Sequence, residues 1–487
     1  MRARVPRLST RVVLCDDGEG LAQRAADVME RAGYSNLFVF DAPVHTSEAA
    51  GFQVFQGHYV TTYALGLHIA SLTGTPQISA ASLKEKIEAG DDVVVFDTRT
   101  FEEYHDGCVP GARSAPMAEL LYRIKDLVPD PNTEVVVNCG AVARGVLGAQ
   151  ALIEAQLENP IKVLTNGARG WSMADLALEH GATRSYRPVS EHSRQWSAEA
   201  AKYLRVCANV QYITREELEQ WRSQGDERTL YLVDVRSAQE YEQGHIEGAI
   251  WIPGGELVGL YEDHVATMNA RFCLVDDNGA RATLAASWLT RMGWPDVAVL
   301  MGGVDQYKLE RGLPEDRVPE LDVIDVPTIT PSDLRARISK NQVLVIDVDA
   351  STAYQTGHIP GAWWCCRSKL PVRLASLPPA SAYVLTSNDG KVAKLATGDL
   401  LGLTETPVMT LSGGTGAWKG QGYETVAGLT RTLGDIEDVH PGFGTRPGDD
   451  PTTISAAQQR MADWQDGLMD KLSEDRTFKF PDSKTHD

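Results

Sequence analysis

The sequence predicts an α/β protein made of tandem copies of one domain, each a parallel sheet with helices on both faces. Three observations predict it. Short apolar, β-branched runs such as Val93-Val94-Val95-Phe96 and Val135-Val136-Val137 read as fully buried strands. These runs alternate with helix-length segments, which calls for right-handed βαβ crossovers and a sheet covered on both sides. The pattern also recurs along the chain at domain-sized spacing, with 137 residues from Asp97 to Asp234 and 113 from Asp234 to Asp347.

Each complete copy has a front half and a back half. The first front half runs from Val93 to Asp97-Thr98-Arg99, then Glu103-Tyr104 and Val109-Pro110-Gly111-Ala112. Its second copy is Leu230 to Arg236, Glu240-Tyr241 and Gly244-His245-Ile246-Glu247-Gly248-Ala249; its third is Val343 to Asp347, Tyr354 and Gly357-His358-Ile359-Pro360-Gly361-Ala362. The back halves each hold a strand, a loop, a helix, a strand and a Gly-rich turn with an aromatic. They are Val135 to Trp171, Cys273 to Tyr307 and Tyr383 to Trp418. The first sixty residues match a back half alone: Val12 to Gly18, a helix to about Ala32, then Leu37 to Phe40. A front half is therefore expected to be absent there, through a late start, processing or degeneration. The half-sheet is expected to be poorly ordered or packed on its neighbour.

The expected division is a degenerate half-domain at 1–62, complete domains at 77–186, 210–316 and 327–428, and a C-terminal helical tail at 440–487. Linkers are expected at Gly74-Thr75-Pro76, 186–212, 318–327 and 434–451. In the tail, Ser455 to Leu472 carries Met461, Trp464, Leu468 and Leu472 at helical spacing, with Ser455 as N-cap and a frayed end after it.

The net charge of −20 argues against nucleic acid or an anionic membrane surface as partner. An anionic substrate would need a local positive site. Cysteines stand at 15, 108, 139, 207, 273, 365 and 366, an odd number with no zinc-ligand spacing, so no metal or cofactor is expected and a reducing, cytoplasmic setting is. The chain shows neither an apolar signal-peptide core nor a membrane-length apolar run. Cys365 and Cys366 read as packing residues.

Cys139 follows the Val135–Val137 strand, and Gly140, Ala141, Val142, Ala143 and Arg144 lead from it into a helical run. A thiol there faces loop N–H groups and a helix N-terminus, a position that lowers a thiol pKa from about 8.5 into the range of about 3.5–7.5. The competing reading is a small core residue, the commoner fate of cysteine. The repeats bear on the choice, because Asp276, Ser387 and Asp16 occupy the same position in the other copies. Only one copy can form a thiolate there. Asp97 and Arg99 recur as Asp234 and Arg236 where the cysteine does not, so with Glu103 they read as architectural, with Arg99 and Glu103 placed to pair. Arg123 and Arg169 are confined to the cysteine copy, opposite Leu260 and Asp305; they either hold an anion or are solvated surface arginines. Arg144 has a counterpart in Arg281 and is expected to organise the loop as well as bind substrate. Cys108 replaces His245 and His358 and reads as a packing substitution, with a resolving thiol as the other option.

The Asp-x-Arg and Gly-His-Ile-Pro-Gly-Ala segments, with four residues between a loop cysteine and an arginine, resemble rhodanese (sulfurtransferase) domains over nearly all of 1–428. Asp276 to Gly279, Ala286-Ser287-Trp288-Leu289 and Asn166-Gly167 with Trp171 are further similar to bacterial multidomain members, which have four tandem domains, one catalytic cysteine and a helical tail. Their loop commonly reads Cys-Ala-Gly-Arg-Thr-Arg-Ser; here Val142 stands in place of one of its arginines. The resemblance implies tandem rhodanese-like domains and a double displacement. The Cys139 thiolate takes sulfane sulfur from a small anionic donor such as thiosulfate, and a thiol, small or protein-borne, or cyanide removes it. Substrate contacts fall to Gly140, Ala141, Val142, Ala143 and Arg144, with Arg123 and Arg169. Related phosphatases place five residues between cysteine and arginine, so a Cys-dependent phosphatase is the lesser alternative. Because the other copies lack the nucleophile, a non-catalytic docking scaffold for sulfur-carrier proteins is the alternative of another class.

Overall fold

A computed structural model of the chain describes residues 4–55, 57–313, 318–436, 438, 450–475 and 480–481. The N-terminal segment is a strand–helix–strand unit of β1 (Val12–Leu14), α1 (Leu21–Arg31) and β2 (Leu37–Val39), with β1 and β2 paired in parallel. Two strands cannot bury both faces, and Val13 and Phe38 stay 58% and 51% exposed. The arm that precedes the unit reaches the second complete domain. The Arg4 carbonyl accepts from the Tyr231 hydroxyl and, at 3.1 Å, from Ala266 N–H, and Arg7 donates to the Asp226 carbonyl at 2.8 Å. The half-sheet itself packs on that arm, with the Tyr34 hydroxyl donating to the Val5 carbonyl at 2.7 Å.

Helix α2 (Val60–Thr73) follows, in a stretch the sequence left unassigned. Apolar residues ring it, so it carries no stripe of helical period to read; a helix of that kind is a buried one. Thr62, Ala64, Leu65, Gly66 and Ile69 are its buried positions.

The first complete domain contains β3 (Gln77–Ile78), α3 (Ala80–Ala89), β4 (Val93–Asp97), α4 (Phe101–Asp106), β5 (Arg113–Ser114), α5 (Met117–Leu127), β6 (Glu134–Asn138), α6 (Ala143–Glu154), β7 (Ile161–Leu164) and α7 (Gly167–Met173). Its sheet has the order β3-β7-β6-β4-β5, and every pairing is parallel. β6 is the central strand, flanked by β4 and β7, and Val135, Val136 and Val137 are 0% exposed. Register sets Asp97 opposite Asn138, so the two loops that follow share one edge of the sheet. Thr100 opens α4 with a capping box: its side chain accepts from Glu103 N–H while the Glu103 carboxylate accepts from Thr100 N–H.

Residues 186–212, read from the sequence as a linker, instead form α8 (Glu191–Cys207), N-capped by Ser190. Its Ala200, Ala201 and Leu204 face are buried. The second domain repeats the plan with β8 (Gln211–Ile213), α9 (Arg215–Ser223), β9 (Leu230–Asp234), α10 (Ala238–Gln243), β10 (His245–Ile246), β11 (Ile250–Trp251), α11 (Gly254–Gly259), α12 (Tyr261–His264), β12 (Arg271–Val275), α13 (Ala280–Arg291), β13 (Asp296–Leu300) and β14 (Leu309–Glu310). Its parallel sheet is β11-β9-β12-β13-β8, and β10 pairs antiparallel with β14. Leu120, Val137, Leu204, Phe272 and Trp288 belong to one continuous core, so the first and second domains are fused through α5, α8 and α13.

The third domain lies in a separate compact unit, 315–450. It contains α14 (Pro319–Val323), β15 (Thr328–Ile329), α15 (Pro331–Ile338), β16 (Leu344–Asp347), α16 (Ser351–Thr356), β17 (Trp363–Trp364), α17 (Leu370–Arg373), β18 (Tyr383–Thr386), α18 (Lys391–Leu400), β19 (Val408–Leu411) and α19 (Gly414–Gly420), with the sheet order β15-β19-β18-β16-β17. The expected 434–451 linker and the frayed end fall largely outside the described residues. The tail helix α20 (Pro451–Glu474) starts four residues before the expected Ser455 cap and belongs with the first two domains.

Candidate active site

The loop after β6 is shaped by what its carbonyls bind. Cys139 and Gly140 carbonyls accept from Ala168 N–H at 2.8 Å and Arg169 N–H at 3.1 Å, the first amides of α7. With its carbonyls turned that way, the loop turns its own N–H groups inward, and those of Ala141 and Gly145 donate to the Cys139 sulfur. Two glycines make room. A Cβ at Gly167, where φ is +57°, would lie 2.3 Å from the Cys139 carbonyl oxygen, and one at Gly145 would lie 3.3 Å from Cys139 Sγ. Ala141 and Gly145 are the two amides at the thiol; Gly145 lies one residue past Arg144, outside the Gly140–Arg144 stretch singled out in the sequence.

Two ion pairs brace the nest, and they are not the pair the sequence suggested. Arg99 folds back on Asp97 at 2.7 Å and donates to the Gly107 carbonyl at 2.6 Å. Glu103 instead takes Arg144 in a two-pronged pair at 2.6 Å on both sides. Arg99 and Asp97 are adjacent to one strand end, whereas Arg144 reaches Glu103 only once α6 folds beside α4. That long-range approach is invisible in local spacing. Burial raises the Glu103 carboxyl, but Arg144 outweighs it and holds the group below its usual range.

The thiol departs from expectation in one respect. Cys139 is 2% exposed, and burial pushes its pKa up rather than down. Arg144 and the Ala141 and Gly145 amides oppose that push without reversing it. Helix α2 covers the loop, and a second helix backs Tyr63 and Arg169 beside it. On α2, the close approach at Gly66, where a Cβ would lie 2.5 Å from Ala143 Cα, seats the helix on the loop, and it brings Tyr63 within the electrostatic reach of Cys139, Arg169 and Arg144. On α20, Trp464 stands edge-on to Tyr63 with ring centroids 5.6 Å apart, and Gln465 Oε1 accepts from Arg169 Nη2. Neither helix could be tied to Cys139 from sequence, since 75 residues separate it from one and more than 300 from the other.

Arg169, 5% exposed, is at the site. Arg123 is elsewhere: it donates to Glu119 at 2.7 Å and the Arg187 carbonyl at 3.0 Å, and it lies over the Tyr122 and Tyr186 rings. Glu119 also accepts from Arg281 at 2.8 Å, so Arg123 belongs to the ionic seam between the first and second domains. Cys108 is wholly buried beside Tyr104, where His245 and His358 stack on Tyr241 and Tyr354 at 3.8 and 3.6 Å. Its surroundings are those of a packing residue. Among the described residues no cluster of metal-ligating side chains occurs, and no helix is long and apolar enough to cross a membrane.

The sister loops hold other groups in the same nest. Asp276 accepts from Gly279 N–H at 2.6 Å, Arg281 N–H at 2.9 Å and Ala282 N–H at 3.2 Å. Asp16 accepts from Gly18 and Ala22 N–H at 2.9 and 2.8 Å, and Ser387 Oγ from Ala393 N–H at 3.2 Å.

Known proteins share this plan. The model of the rhodanese-like domain matches residues 79–174, 214–310 and 330–421. The crystal structure of a thiosulfate sulfurtransferase from Pseudomonas aeruginosa is 37% identical and covers 99% of this chain and 90% of that one, with a TM-score of 0.90. An HTH-type transcriptional regulator of Mycobacterium tuberculosis is 34% identical over 116 residues, 23% of this chain and 50% of that protein. The adenylyltransferase/sulfurtransferase MoeZ of the same organism, so named with the qualifier "Probable", is 28% identical over 201 residues, 37% of this chain and 49% of that protein. The chain spans about half the length of these curated relatives. With three domains matched and a tandem architecture shared almost end to end, the chain belongs to the rhodanese-like family as a multidomain member.

Proposed function

We propose that the protein is a sulfurtransferase that carries sulfane sulfur on Cys139. The single observation behind this reading is that one copy alone puts sulfur where its sisters put Asp276, Asp16 and Ser387. A nest that holds a carboxylate in two copies is built for a negative charge, and a thiolate or persulfide is the charge that sulfur supplies there. Support also comes from the architecture shared with the Pseudomonas thiosulfate sulfurtransferase.

In the proposed reaction the Cys139 thiolate attacks the outer sulfur of thiosulfate or a related donor. The donor S–S bond breaks, its electron pair leaves with sulfite, and a Cys139 persulfide forms. The Ala141 and Gly145 amides stabilise the sulfur charge, Arg169 neutralises the donor's anionic oxygens, and Arg144, held by Glu103, lowers the cost of the thiolate. A thiolate or cyanide acceptor then attacks the terminal sulfur and returns Cys139 as thiolate. The small donor and the thiol acceptor, either a small molecule or a protein, are the proposed partners. The cysteines stand as thiols outside any disulfide among the described residues, which fits the proposed reducing, cytoplasmic setting.

The test is thiocyanate formation from thiosulfate and cyanide. Wild type should turn over and Cys139→Ser should be inert. The burial of Cys139 favours a second reading, a docking scaffold for sulfur-carrier proteins. That reading wins if wild type and variant are equally inert and neither takes up sulfur from any persulfide donor.

A further inference from the structure

Helix α20 contributes nothing to the nest, yet it meets Arg169 and Tyr63 beside it. Its buried side, Ala457, Gln465 and Leu468, repeats at helical spacing, and its tie to the body runs along residues 54–63 as well as Arg169. Lys471 donates to the Val54 carbonyl at 2.5 Å and lies over the Phe55 ring at 5.3 Å. Trp464 fills the space beside Gly57, where a Cβ would lie 3.2 Å from the indole, and closes on Tyr63.

Gln465 is the informative residue. It is 5% exposed, and its amide oxygen occupies the Nη2 of Arg169, the arginine facing Cys139. Its amide nitrogen finds no acceptor among the described residues. A buried, half-satisfied amide is a poor permanent partner for a guanidinium, and an anion would bind that guanidinium more strongly. From this geometry we infer that α20 is a displaceable lid: Gln465 holds on Arg169 the place of an anionic donor's oxygen, and docking of α20 and entry of the donor exclude each other. This rests on the reading of Cys139 as the reacting thiol, and it names Arg169 as the point where substrate and lid compete.

The lid can be tested by access alone. In the full chain, carbamidomethylation of Cys139 by iodoacetamide is followed by peptide mass, with the exposed Cys15 and Cys207 as internal references. Gln465→Ala should speed labelling of Cys139 about tenfold, the change that loss of one charge-assisted hydrogen bond implies; Trp464→Ala, which removes the packing on Tyr63, should speed it as well, and both should leave the references alone. Gln465→Glu pairs an anion with Arg169 and should slow labelling to below the wild-type rate. Unchanged Cys139 rates in all three variants would overturn the lid, and so would acceleration by Gln465→Glu, which is what simple loosening of the helix produces. Labelling reads access and the thiocyanate assay reads transfer, so either result stands if the other fails.

Discussion

The Cys139 loop and the Asp276 loop are nearly the same object built twice. Each sits at the end of the central strand, and each has an Asp–Arg pair folded onto a glycine carbonyl, Asp97–Arg99 on Gly107 and Asp234–Arg236 on Gly244. Each is closed by a Glu–Arg pair, Glu103–Arg144 and Glu240–Arg281. What differs is the group in the nest and the use of the closing arginine. Arg281 is wholly buried and also binds Glu119 and Asp277, stitching the second domain to the first, whereas Arg144 pairs with Glu103. The difference teaches that the arginines and acids surrounding Cys139 are the fold's way of holding an amide nest open. In the proposed sulfur transfer the chemistry resides in the one group placed inside it.

The sharpest way to break the comparison is to exchange that group. Cys139→Asp should abolish sulfur transfer completely while the chain stays folded, because the same nest already accommodates a carboxylate in the second domain. A residual transfer rate would place the nucleophile elsewhere. The reciprocal Asp276→Cys, made in the Cys139→Ser background, should restore no thiocyanate formation. The loop there is locked by Asp277 to Tyr122 and Arg194 at 2.8 and 2.5 Å and by Asn278 to the Arg194 carbonyl at 3.0 Å.

Next in size is the contrast between the closing arginines. Arg281→Ala takes from Glu240 its cation and leaves Glu119 with Arg123 alone and Asp277 with Arg194 alone; with the buried three-way pair gone it should cost about 3–5 kcal/mol in urea unfolding. Arg144→Ala should cost less, on the order of 1–2 kcal/mol, because Glu103 is about one-third exposed, with a side-chain accessibility of 36%. It should nevertheless slow sulfur transfer severely by loosening the nest. Equal costs for the two would erase the distinction drawn between them.

The smallest expected effect is on pH. Burial raises Glu240 and Asp277, but Arg281 outweighs it and holds both at about 2; their stabilisation is present above the ordinary carboxylate range and is lost as pH falls toward 2. Burial pushes Asp276 up to about 6, so it acts in the opposite sense: between about pH 4 and 6 the unfolded chain releases a proton the folded one keeps, and stability declines as pH rises through that window. Asp276→Asn should remove that decline, which urea midpoints from pH 4 to 7 would show.

How much of this was legible in the sequence follows from distance along the chain. The strands, their order of repetition and the lone cysteine were readable because β-branched runs and the recurring Asp-x-Arg are local signals. Of the two amides at the thiol, Ala141 lies in the small-residue stretch before Arg144 that the sequence marks out, whereas Gly145 lies just past it. Partners brought from afar were not. Arg144 chooses Glu103 over α4, Arg123 is drawn into the seam with Glu119 and Arg281, and α2 and α20 converge on Cys139 from opposite ends of the chain. The rise in the thiol's pKa is a consequence of that convergence, since desolvation depends on what covers a group and not on its neighbours in sequence.

The most direct test of the central claim is the mass of the protein after incubation with thiosulfate and removal of excess donor. A gain of about 32 Da located on the Cys139 peptide, lost on adding cyanide and absent from Cys139→Ser, is the predicted result. Sulfur found on another cysteine, or none taken up from thiosulfate or any persulfide donor, would contradict it.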